Sequence, residues 1–285
     1  MKMPLLMKIN KNLLNKLYDS CNVIKEIDLF EFNKEDFEPW YRIPFLMNNI
    51  ASDWELSDKL KLENLVQRFP DIESDVKSDQ NEDSFYMSLR EYHQQTLINS
   101  KSELYFKTQF HLNTDLRQYY RIPEAFFCWY SNFPAEGKRF ALSWIYIGSQ
   151  GTGTALHVDV WNTSAWNLVT SGKKLWLFYP PDQEEFLYAG KVNPFDPDLS
   201  LYPKFKYTHP QIAVQNPGDL IYTPSGWWHA VYNIEGGVSI TENFINHTNI
   251  ERVKEYFKQK DQLRSLASIE KIAKHFTTDR NYGKN

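Results

Sequence analysis

The stretch FALSWIYIGSQGTGTALHVDVWNTSAWNLVTSGKKLWLFY, residues 140–179, decides the fold of this chain. Within it, runs rich in β-branched and aromatic residues alternate with Gly, Ser and Asn, a pattern typical of short strands joined by turns. The runs predict strands over 140–147, 155–160, 165–169 and 175–179. Ser171-Gly172 lies between the last two runs and predicts a hairpin.

The same pattern continues to residue 244. It predicts further strands over 211–214, 220–223, 229–232 and 238–244, and Pro217-Gly218-Asp219 predicts a turn. Eight short strands without intervening helices favour an all-β sandwich or barrel over an α/β sheet.

Helical patterns flank this β region. The first hundred residues are predicted to be mixed and mostly helical, and residues 246–285 carry an apolar stripe at helical spacing. The residues in these patterns are Leu13, Leu14, Leu17, Leu60, Leu62, Leu65 and Val66 at the start, and Ile250, Val253, Phe257, Leu263, Leu266, Ile269 and Phe276 at the end. Such a stripe needs a surface that covers it.

Charge is unevenly distributed along the chain. It has 32 basic and 36 acidic residues, and the net charge of −4 argues against a dedicated DNA-binding protein. Residues 246–285 hold nine Lys or Arg and five Asp or Glu, so the remainder carries −8. Seven of the acids fall between Asp71 and Glu91, where we expect a solvated loop or helix face. The acidic remainder would attract a basic substrate over a long range.

Composition excludes several classes of protein. Aromatic residues make up 16% of the chain, enough for a packed core and too many for a disordered chain. No run of 18 apolar residues predicts a membrane span, and the N-terminal apolar run is too short for a signal peptide. Two cysteines, Cys21 and Cys128, exclude a disulfide framework and a zinc finger. We therefore expect an intracellular protein, cytoplasmic or nuclear.

The strongest chemical signal combines His157, Asp159 and His229. Alternate side chains of a strand share a face, so His157 and Asp159 are predicted to point to the same place. That pair alone arises easily by chance in a chain with 7 histidines and 36 acidic residues. His229 adds weight because it follows a predicted turn, strand and tight turn. Two histidines and one carboxylate form the facial triad that binds Fe(II) and leaves positions open for other ligands.

A lysine pair offers a second signal. Lys173 and Lys174 begin the apolar run Leu175-Trp-Leu-Phe-Tyr179, and neighbouring strand residues face opposite sides. An ammonium buried among apolar side chains is costly unless it meets an anion. We predict that Lys174 points inward toward such an anion and that Lys173 faces solvent.

Five segments in order give the chain a family resemblance: Gly151-Thr-Gly-Thr-Ala-Leu-His-Val-Asp159, Thr163-Ser-Ala-Trp-Asn167, Gly172-Lys-Lys-Leu-Trp176, Pro224-Ser-Gly-Trp-Trp-His229 and Ile240-Thr-Glu-Asn-Phe244. With a weaker match over 43–54, they resemble the JmjC-domain, cupin-type oxygenases that use Fe(II), 2-oxoglutarate and O2. The branch of lysyl hydroxylases and arginine demethylases is the most similar. The resemblance implies a double-stranded β-helix (jelly-roll) barrel over 101–246, a helical or mixed region 1–100 packed on it, and a helical region 247–285.

The resemblance also implies roles for individual residues. The catalytic iron ligands correspond to His157, Asp159 and His229, and Lys174 corresponds to the lysine that pairs with the distal carboxylate of 2-oxoglutarate. Further polar contacts to the co-substrate fall on Thr154, Asn167, Thr241 and Tyr105. Thr154 precedes His157 by three residues, so a regular strand would turn it away, and we predict a bulge at Gly153.

One departure from the family concerns the substrate. Where the hydroxylase branch has Pro-Leu-Gly after the ligand carboxylate, this chain has Val160-Trp161-Asn162. Trp161 is therefore expected to alter the substrate pocket, either by narrowing it or by stacking on a cationic side chain.

The resemblance implies hydroxylation of a protein side chain, first of all lysine, with 2-oxoglutarate converted to succinate and CO2. The same chemistry on methylated arginine or lysine, on RNA or on a small molecule stays open, as does a non-catalytic cupin-fold binding module. The implied partners are a protein substrate and no membrane, with nucleic acid disfavoured but left open. The C-terminal helices could bind a second copy of the chain, and packing of these helices on their own barrel is the equal alternative.

Overall fold

A computed structural model describes residues 17, 19–27, 37–38, 40–51, 54–78, 81–98, 104–134 and 140–278, with the backbone alone for 77–78, 81–85 and 98. The strands are β1 (Asn22–Val23), β2 (Lys25–Ile27), β3 (Phe45–Met47), β4 (Glu73–Ser78), β5 (Asn81–Ser88), β6 (Leu104–Thr108), β7 (Ser143–Gly148), β8 (Gly153–His157), β9 (Ser164–Val169), β10 (Lys173–Tyr179), β11 (Gln211–Gln215), β12 (Leu220–Thr223), β13 (Trp228–Glu235) and β14 (Gly237–Phe244). The α-helices are α1 (Leu56–Lys59), α2 (Leu62–Arg68), α3 (Leu89–Ile98), α4 (Trp129–Asn132), α5 (Ile250–Gln259) and α6 (Leu263–Thr278).

The strands form two sheets that face each other. One has five strands in the order β1-β11-β10-β13-β8, and the other has nine in the order β2-β3-β12-β9-β14-β7-β6-β4-β5. The eight predicted strands correspond to β7–β14, and most successive pairs lie in opposite sheets. This crossing pattern is that of a jelly roll, so the predicted fold class is confirmed.

Alternation along the strands sorts the apolar residues into three clusters. The largest covers the outer face of the nine-stranded sheet, including Trp166 and Ile240, and the α-helices pack on it. A second covers the outer face of the five-stranded sheet, beneath residues 187–205. The third lies between the sheets, where Trp176 and Val231 meet Ile221. Apolar packing thus closes one side of the barrel interior, and polar side chains occupy the rest.

The hairpin predicted at Ser171-Gly172 is wrong. β9 pairs with β12 and β14, whereas β10 pairs with β11 and β13, so the turn crosses from one sheet to the other. Ser171 and Val238 exchange backbone hydrogen bonds of 3.2 and 3.1 Å across this corner. Gly172 has φ +78°, and a Cβ there would stand 2.5 Å from the Gly236 carbonyl oxygen. Turn composition is the same for a hairpin and for this corner, and the strand partners decide between them.

The first hundred residues contain more strand than the sequence predicts. β2 and β3 extend the nine-stranded sheet beside β12, and β4 joins its other end through β6. The acidic segment, predicted as a loop or helix face, instead contributes β4 and β5, with Asp79 outside the described residues. Short apolar runs such as β3 have no period that separates strand from helix. Leu13 and Leu14 also lie outside the described residues, and the domain boundary at 100 stays a prediction.

The C-terminal stripe packs on the chain's own barrel. Val253 and Phe257 of α5 and Ile272 of α6 belong to the apolar cluster outside the nine-stranded sheet. The ring of Phe276 stacks on Trp129, with centroids 5.6 Å apart. Leu263 departs from the predicted stripe, because it begins α6 and is 64% exposed. A homodimer through these helices stays a prediction. Among the described residues, no helix is both long and apolar enough to cross a membrane.

Candidate functional site

Three predicted ligands converge at one end of the barrel. His157 ends β8, Asp159 follows it, and His229 lies directly opposite His157 on β13. Each offers one ligand atom, and the three atoms lie within 4.8 Å of one another. The Nε2 atom of His229 is 4.0 Å from Oδ2 of Asp159. The group is thus close enough to hold a single metal ion.

Hydrogen bonds orient both imidazoles toward the site. Nδ1 of His157 donates to the Ala155 carbonyl oxygen at 2.8 Å, and Nδ1 of His229 donates to the Trp227 carbonyl oxygen at 3.2 Å. Because a carbonyl can only accept, each Nδ1 carries the proton and each Nε2 keeps a free lone pair. Burial, then the neighbouring His157, lowers the pKa of His229 to about 4. His229 is therefore neutral at physiological pH, as a metal ligand must be.

One atom of this group has no partner. Oδ2 of Asp159 is buried and accepts no hydrogen bond from any described residue. A buried carboxylate oxygen without a donor is costly, and a bound cation would remove that cost. The donor set of two imidazoles and one carboxylate fits Fe(II).

A bulge in β8 brings Thr154 to the same face as His157. Thr154 pairs with Val231, and His157 pairs with His229. The two pairs are therefore three residues apart on β8 and two residues apart on β13. The extra residue falls at 155–156, not at Gly153 as predicted. Gly153 has a different role, because a Cβ there would stand 2.0 Å from the Val231 carbonyl oxygen.

Lys174 points inward as predicted. It is 6% exposed, and its Nζ donates to Oδ1 of Asn233 at 2.9 Å. Burial lowers the pKa of Lys174 to about 7, and no carboxylate among the described residues pairs with it. Lys173 lies on the other face, 34% exposed, with its Nζ 3.7 Å from Oε1 of Glu235. An anion entering the barrel would therefore meet Lys174 and not Lys173.

The nine-stranded sheet supplies the remaining predicted residues. Asn167 on β9 faces Thr241 on β14, and its Nδ2 donates to the Thr241 hydroxyl at 2.6 Å. The hydroxyl of Tyr105 on β6 lies 3.5 Å from that of Thr154. This contact links the two sheets at the side of the barrel where β8 is an edge strand. Burial raises the pKa of Tyr105 to about 12, so its hydroxyl stays a neutral donor.

Two residues of the site were not predicted from the sequence. Tyr146 on β7 stacks on Tyr105, with centroids 5.7 Å apart, and burial, then Tyr105 and Asp159, raises its pKa. Tyr146 therefore lies near both Tyr105 and Asp159. Asn233, which holds Lys174, also donates from Nδ2 to the Thr152 hydroxyl at 2.9 Å. Alternation from His229 to Asn233 along β13 is a signal that would have found it.

Trp161 is engaged by aromatic side chains. It has φ +55°, and Asn162 after it has φ +54°, both in the left-handed region. The indole lies 5.4 Å from the ring of Tyr130, 5.3 Å from Phe140 and 5.4 Å from Phe257 of α5. The indole of Trp161 thus links the backbone that follows Asp159 to helix α5. A contact between Trp161 and substrate stays a prediction.

A jelly-roll barrel that brings two histidines and a carboxylate together at one end is the architecture of a cupin-type protein. Residues 41–250 match the profile of the cupin-like domain, and the chain belongs to this family. The resemblance to JmjC-type relatives is confirmed by comparison with curated proteins.

Three relatives illustrate the range of similarity. Mouse 2-oxoglutarate and iron-dependent oxygenase JMJD4 is 32% identical over 191 residues, covering 61% of this chain and 44% of the relative. The Caenorhabditis elegans bifunctional arginine demethylase and lysyl-hydroxylase psr-1 is 28% identical over 246 residues, covering 78% of this chain and 60% of the relative. Lysine-specific demethylase JMJ21 of Arabidopsis thaliana is 28% identical over 251 residues, covering 81% and 26%. The chain thus spans less than two thirds of each of these relatives.

Proposed function

We propose that the chain is an Fe(II)- and 2-oxoglutarate-dependent dioxygenase that hydroxylates a protein side chain, lysine in the first place. The observation that carries this proposal is the group His157, Asp159 and His229, whose ligand atoms lie within 4.8 Å of one another. The unpartnered Oδ2 of Asp159 adds the charge that a divalent cation requires. The names of the relatives, oxygenases and demethylases, support the same chemistry.

In this proposal His157, Asp159 and His229 hold the iron. When bound, iron supplies the O2 chemistry that couples conversion of 2-oxoglutarate to succinate and CO2 with hydroxylation of a C–H bond. Both Nδ1 protons are engaged by carbonyl oxygens, so the Nε2 lone pairs of His157 and His229 would be free to coordinate the metal. The chain's contribution is to fix the ligands, to hold the anion and to exclude water.

Lys174 binds the distal carboxylate of 2-oxoglutarate in this proposal. A buried ammonium whose pKa lies near 7 gains most when a carboxylate arrives, because the ion pair restores the charged form. Asn233 holds the ammonium in place through Oδ1. The hydroxyls of Tyr105 and Thr154 lie 3.5 Å apart, and in this proposal they would donate to the same carboxylate.

Asn167 and Thr241 hold the opposite side of the co-substrate in this proposal. Asn167 Nδ2 is occupied by the Thr241 hydroxyl, so Thr241 can donate its own proton onward. The Asn167 Oδ1 atom is buried and has no hydrogen-bond partner among the described residues. That acceptor needs a donor from a ligand or from water.

The protein substrate is the finer part of the proposal. Hydroxylation of lysine and removal of methyl groups from arginine or lysine use the same carbon hydroxylation, and both activities occur among the names of the relatives. RNA or a small molecule as substrate, and a non-catalytic binding module, are the alternatives. An intracellular location, cytoplasmic or nuclear, is consistent with the free thiols of Cys21 and Cys128.

The test is a turnover assay with the full chain, Fe(II) and 2-oxoglutarate. We expect succinate to form without substrate and to increase with a cell extract, and mass spectrometry to find one added oxygen on lysines. Loss of methyl groups from arginine instead would favour the demethylase alternative. Oxygen gained by RNA or a metabolite, with no modified protein, would overturn the protein substrate. If the chain neither forms succinate nor binds iron, only the alternative of a non-catalytic binding module remains.

A further inference from the structure

A cavity separate from the candidate metal site lies at the same barrel end as His157, Asp159 and His229. It has a volume of about 590 Å³ and is bounded by residues before β3, the turn after β10, the loop between β12 and β13, and the first turn of α5. Arg42, Arg252, Ser225 and Trp227 line it, together with three prolines. We call this cavity the arginine groove. None of the sequence motifs assigns it a role.

The two guanidiniums of the groove have no acidic partner. Nε and Nη2 of Arg42 donate to the Tyr41 hydroxyl at 3.1 and 3.0 Å, which fixes the orientation of that guanidinium. Arg252 forms no hydrogen bond or ion pair with any described residue. Asp182 is the carboxylate in the lining, and it pairs with neither arginine within 4.0 Å. The groove therefore holds an excess of positive charge.

The Arg252 side chain lies against the loop at Gly226. Gly226 has φ +78°, and a Cβ there would stand 2.7 Å from Nη1 of Arg252. The guanidinium thus packs over the Gly226 turn, where the positive φ favours glycine. Both arginines line the groove, and the planar fork of a guanidinium matches a carboxylate.

Trp227 connects the groove to the metal site. Its Nε1 donates to the Arg42 carbonyl oxygen at 3.0 Å, and its own carbonyl oxygen accepts the proton of His229 Nδ1 at 3.2 Å. The Ser225 amide donates to the hydroxyl of Ser164 at 3.1 Å, at the start of β9. The wall of the groove is therefore the same loop that orients a metal ligand.

We propose that the arginine groove binds an acidic segment of the protein substrate, adjoining the residue that is modified. This inference rests on the proposed function, because it concerns the substrate of that same site. Carboxylates of the segment would pair with Arg42 and Arg252, and the prolines would pack against an extended chain. The net charge of −4 would repel polyanions in general, so their binding requires a local cationic site. The overall charge of the chain favours a basic substrate, whereas the groove favours acidic residues next to the residue that is modified.

The test measures binding of a fluorescein-labelled decaglutamate peptide to the full chain by anisotropy. We expect saturable binding that weakens by about tenfold or more in the double variant Arg42→Ala/Arg252→Ala. The control Lys204→Ala/Lys206→Ala removes the same charge from exposed lysines outside the groove and is expected to stay within about twofold. Arg252→Glu provides a second variant at an exposed position, with a larger expected loss. Succinate formation without substrate is measured in parallel for every variant.

Several outcomes would overturn the groove assignment. These are no saturable binding, equal loss in the lysine control, tighter binding of labelled decalysine, or tighter binding of a labelled uridine decanucleotide with the same arginine dependence. Succinate formation separates the two proposals. If succinate forms normally while decaglutamate does not bind, the groove assignment fails and the oxygenase stands. If decaglutamate binds but the chain neither binds iron nor forms succinate, the proposed oxygenase function fails.

Discussion

The two walls of the barrel differ in the charge that they bring to the site. The five-stranded sheet provides His157, His229 and the amine of Lys174, and the carboxylate of Asp159 lies two residues beyond the end of its strand β8. The nine-stranded sheet provides Asn167, Thr241 and Tyr105, which stay neutral at physiological pH. One wall therefore supplies charge and the other supplies orientation. Because charged partners contribute more than neutral hydrogen bonds, substitutions on the two walls should differ in size.

Removing the carboxylate of the charged wall should have the largest effect. Asp159→Ala removes the proposed anionic ligand. Loss of a residue that only orients a metal ligand already lowers metal affinity or activity about 10–100-fold. We therefore expect the Fe(II) affinity of Asp159→Ala to fall more than about a hundredfold and turnover to be lost. Calorimetric titration with Fe(II) under anaerobic conditions and a succinate assay measure both. Asp182→Ala removes a carboxylate elsewhere at the same barrel end and should leave both unchanged. Full iron occupancy and activity in Asp159→Ala would refute the triad.

The next largest effect should separate two neighbouring lysines. Lys174→Ala removes a charge-assisted pair worth about 1.5–3 kcal/mol, so the 2-oxoglutarate requirement should rise about ten- to a hundredfold. Lys173→Ala changes a partly exposed lysine near Glu235, on the opposite face of the strand, and should have little effect. The KM for 2-oxoglutarate in uncoupled turnover is the measurement. Equal effects of the two substitutions would contradict the inward role of Lys174.

The pKa of Lys174 predicts a dependence on pH. Since the free site has a pKa of about 7 and binding an anion favours the ammonium, affinity for 2-oxoglutarate should fall as the pH rises above 7, by at most about tenfold per unit. Calorimetry in buffers of different ionisation enthalpy should detect proton uptake at pH 8. Lys174→Met should abolish that uptake, and uptake that persists in the variant would assign the proton to another group.

The lowered pKa of Lys174 also makes the stability of the folded protein depend on pH. The folded pKa lies below the ordinary value of 10.5, so the unfolded chain binds more protons between about 7 and 10.5. This group therefore makes the free energy of unfolding of the ligand-free protein rise with pH across that window, and it adds nothing further above it. Urea unfolding of the wild type and Lys174→Met at several pH values isolates the contribution.

The smallest effect should come from the neutral wall. Thr241→Val removes the hydroxyl that Asn167 bonds, and one neutral hydrogen bond of about 1 kcal/mol corresponds to about a fivefold rise in the 2-oxoglutarate requirement. Thr170→Val removes another buried hydroxyl, bonded to the Val238 carbonyl at the sheet crossing, and should not change that requirement. A hundredfold effect of Thr241→Val would erase the difference between the walls.

The parts of this structure that could be predicted from the sequence are local. Period-two alternation and turn residues located β7–β14, and the same alternation placed His157 with Asp159 and turned Lys174 inward. The roles of these residues stay predictions, although the geometry brings them together. His229 could be added because its strand was predicted too, and both histidines then fell at the same barrel end.

The parts that could not be predicted depend on distant partners. The Ser171-Gly172 corner is decided by which strands pair on either side, and composition does not encode that choice. Only the cross-strand register places the bulge at 155–156. Tyr146 enters the site because β7 lies beside β6, and the contacts of Trp161 include Phe257, from a helix far along the chain.

That last contact bears on where the protein can be shortened. Similarity to the cupin-like domain ends at residue 250, whereas the indole that follows Asp159 packs on Phe257 beyond it. A fragment trimmed to the region of similarity would leave Trp161 in a left-handed backbone conformation without one of its three ring contacts. It would also expose the apolar face against which Val253 packs. A minimal fragment of this chain should therefore retain α5, beyond the region that matches the cupin-like domain.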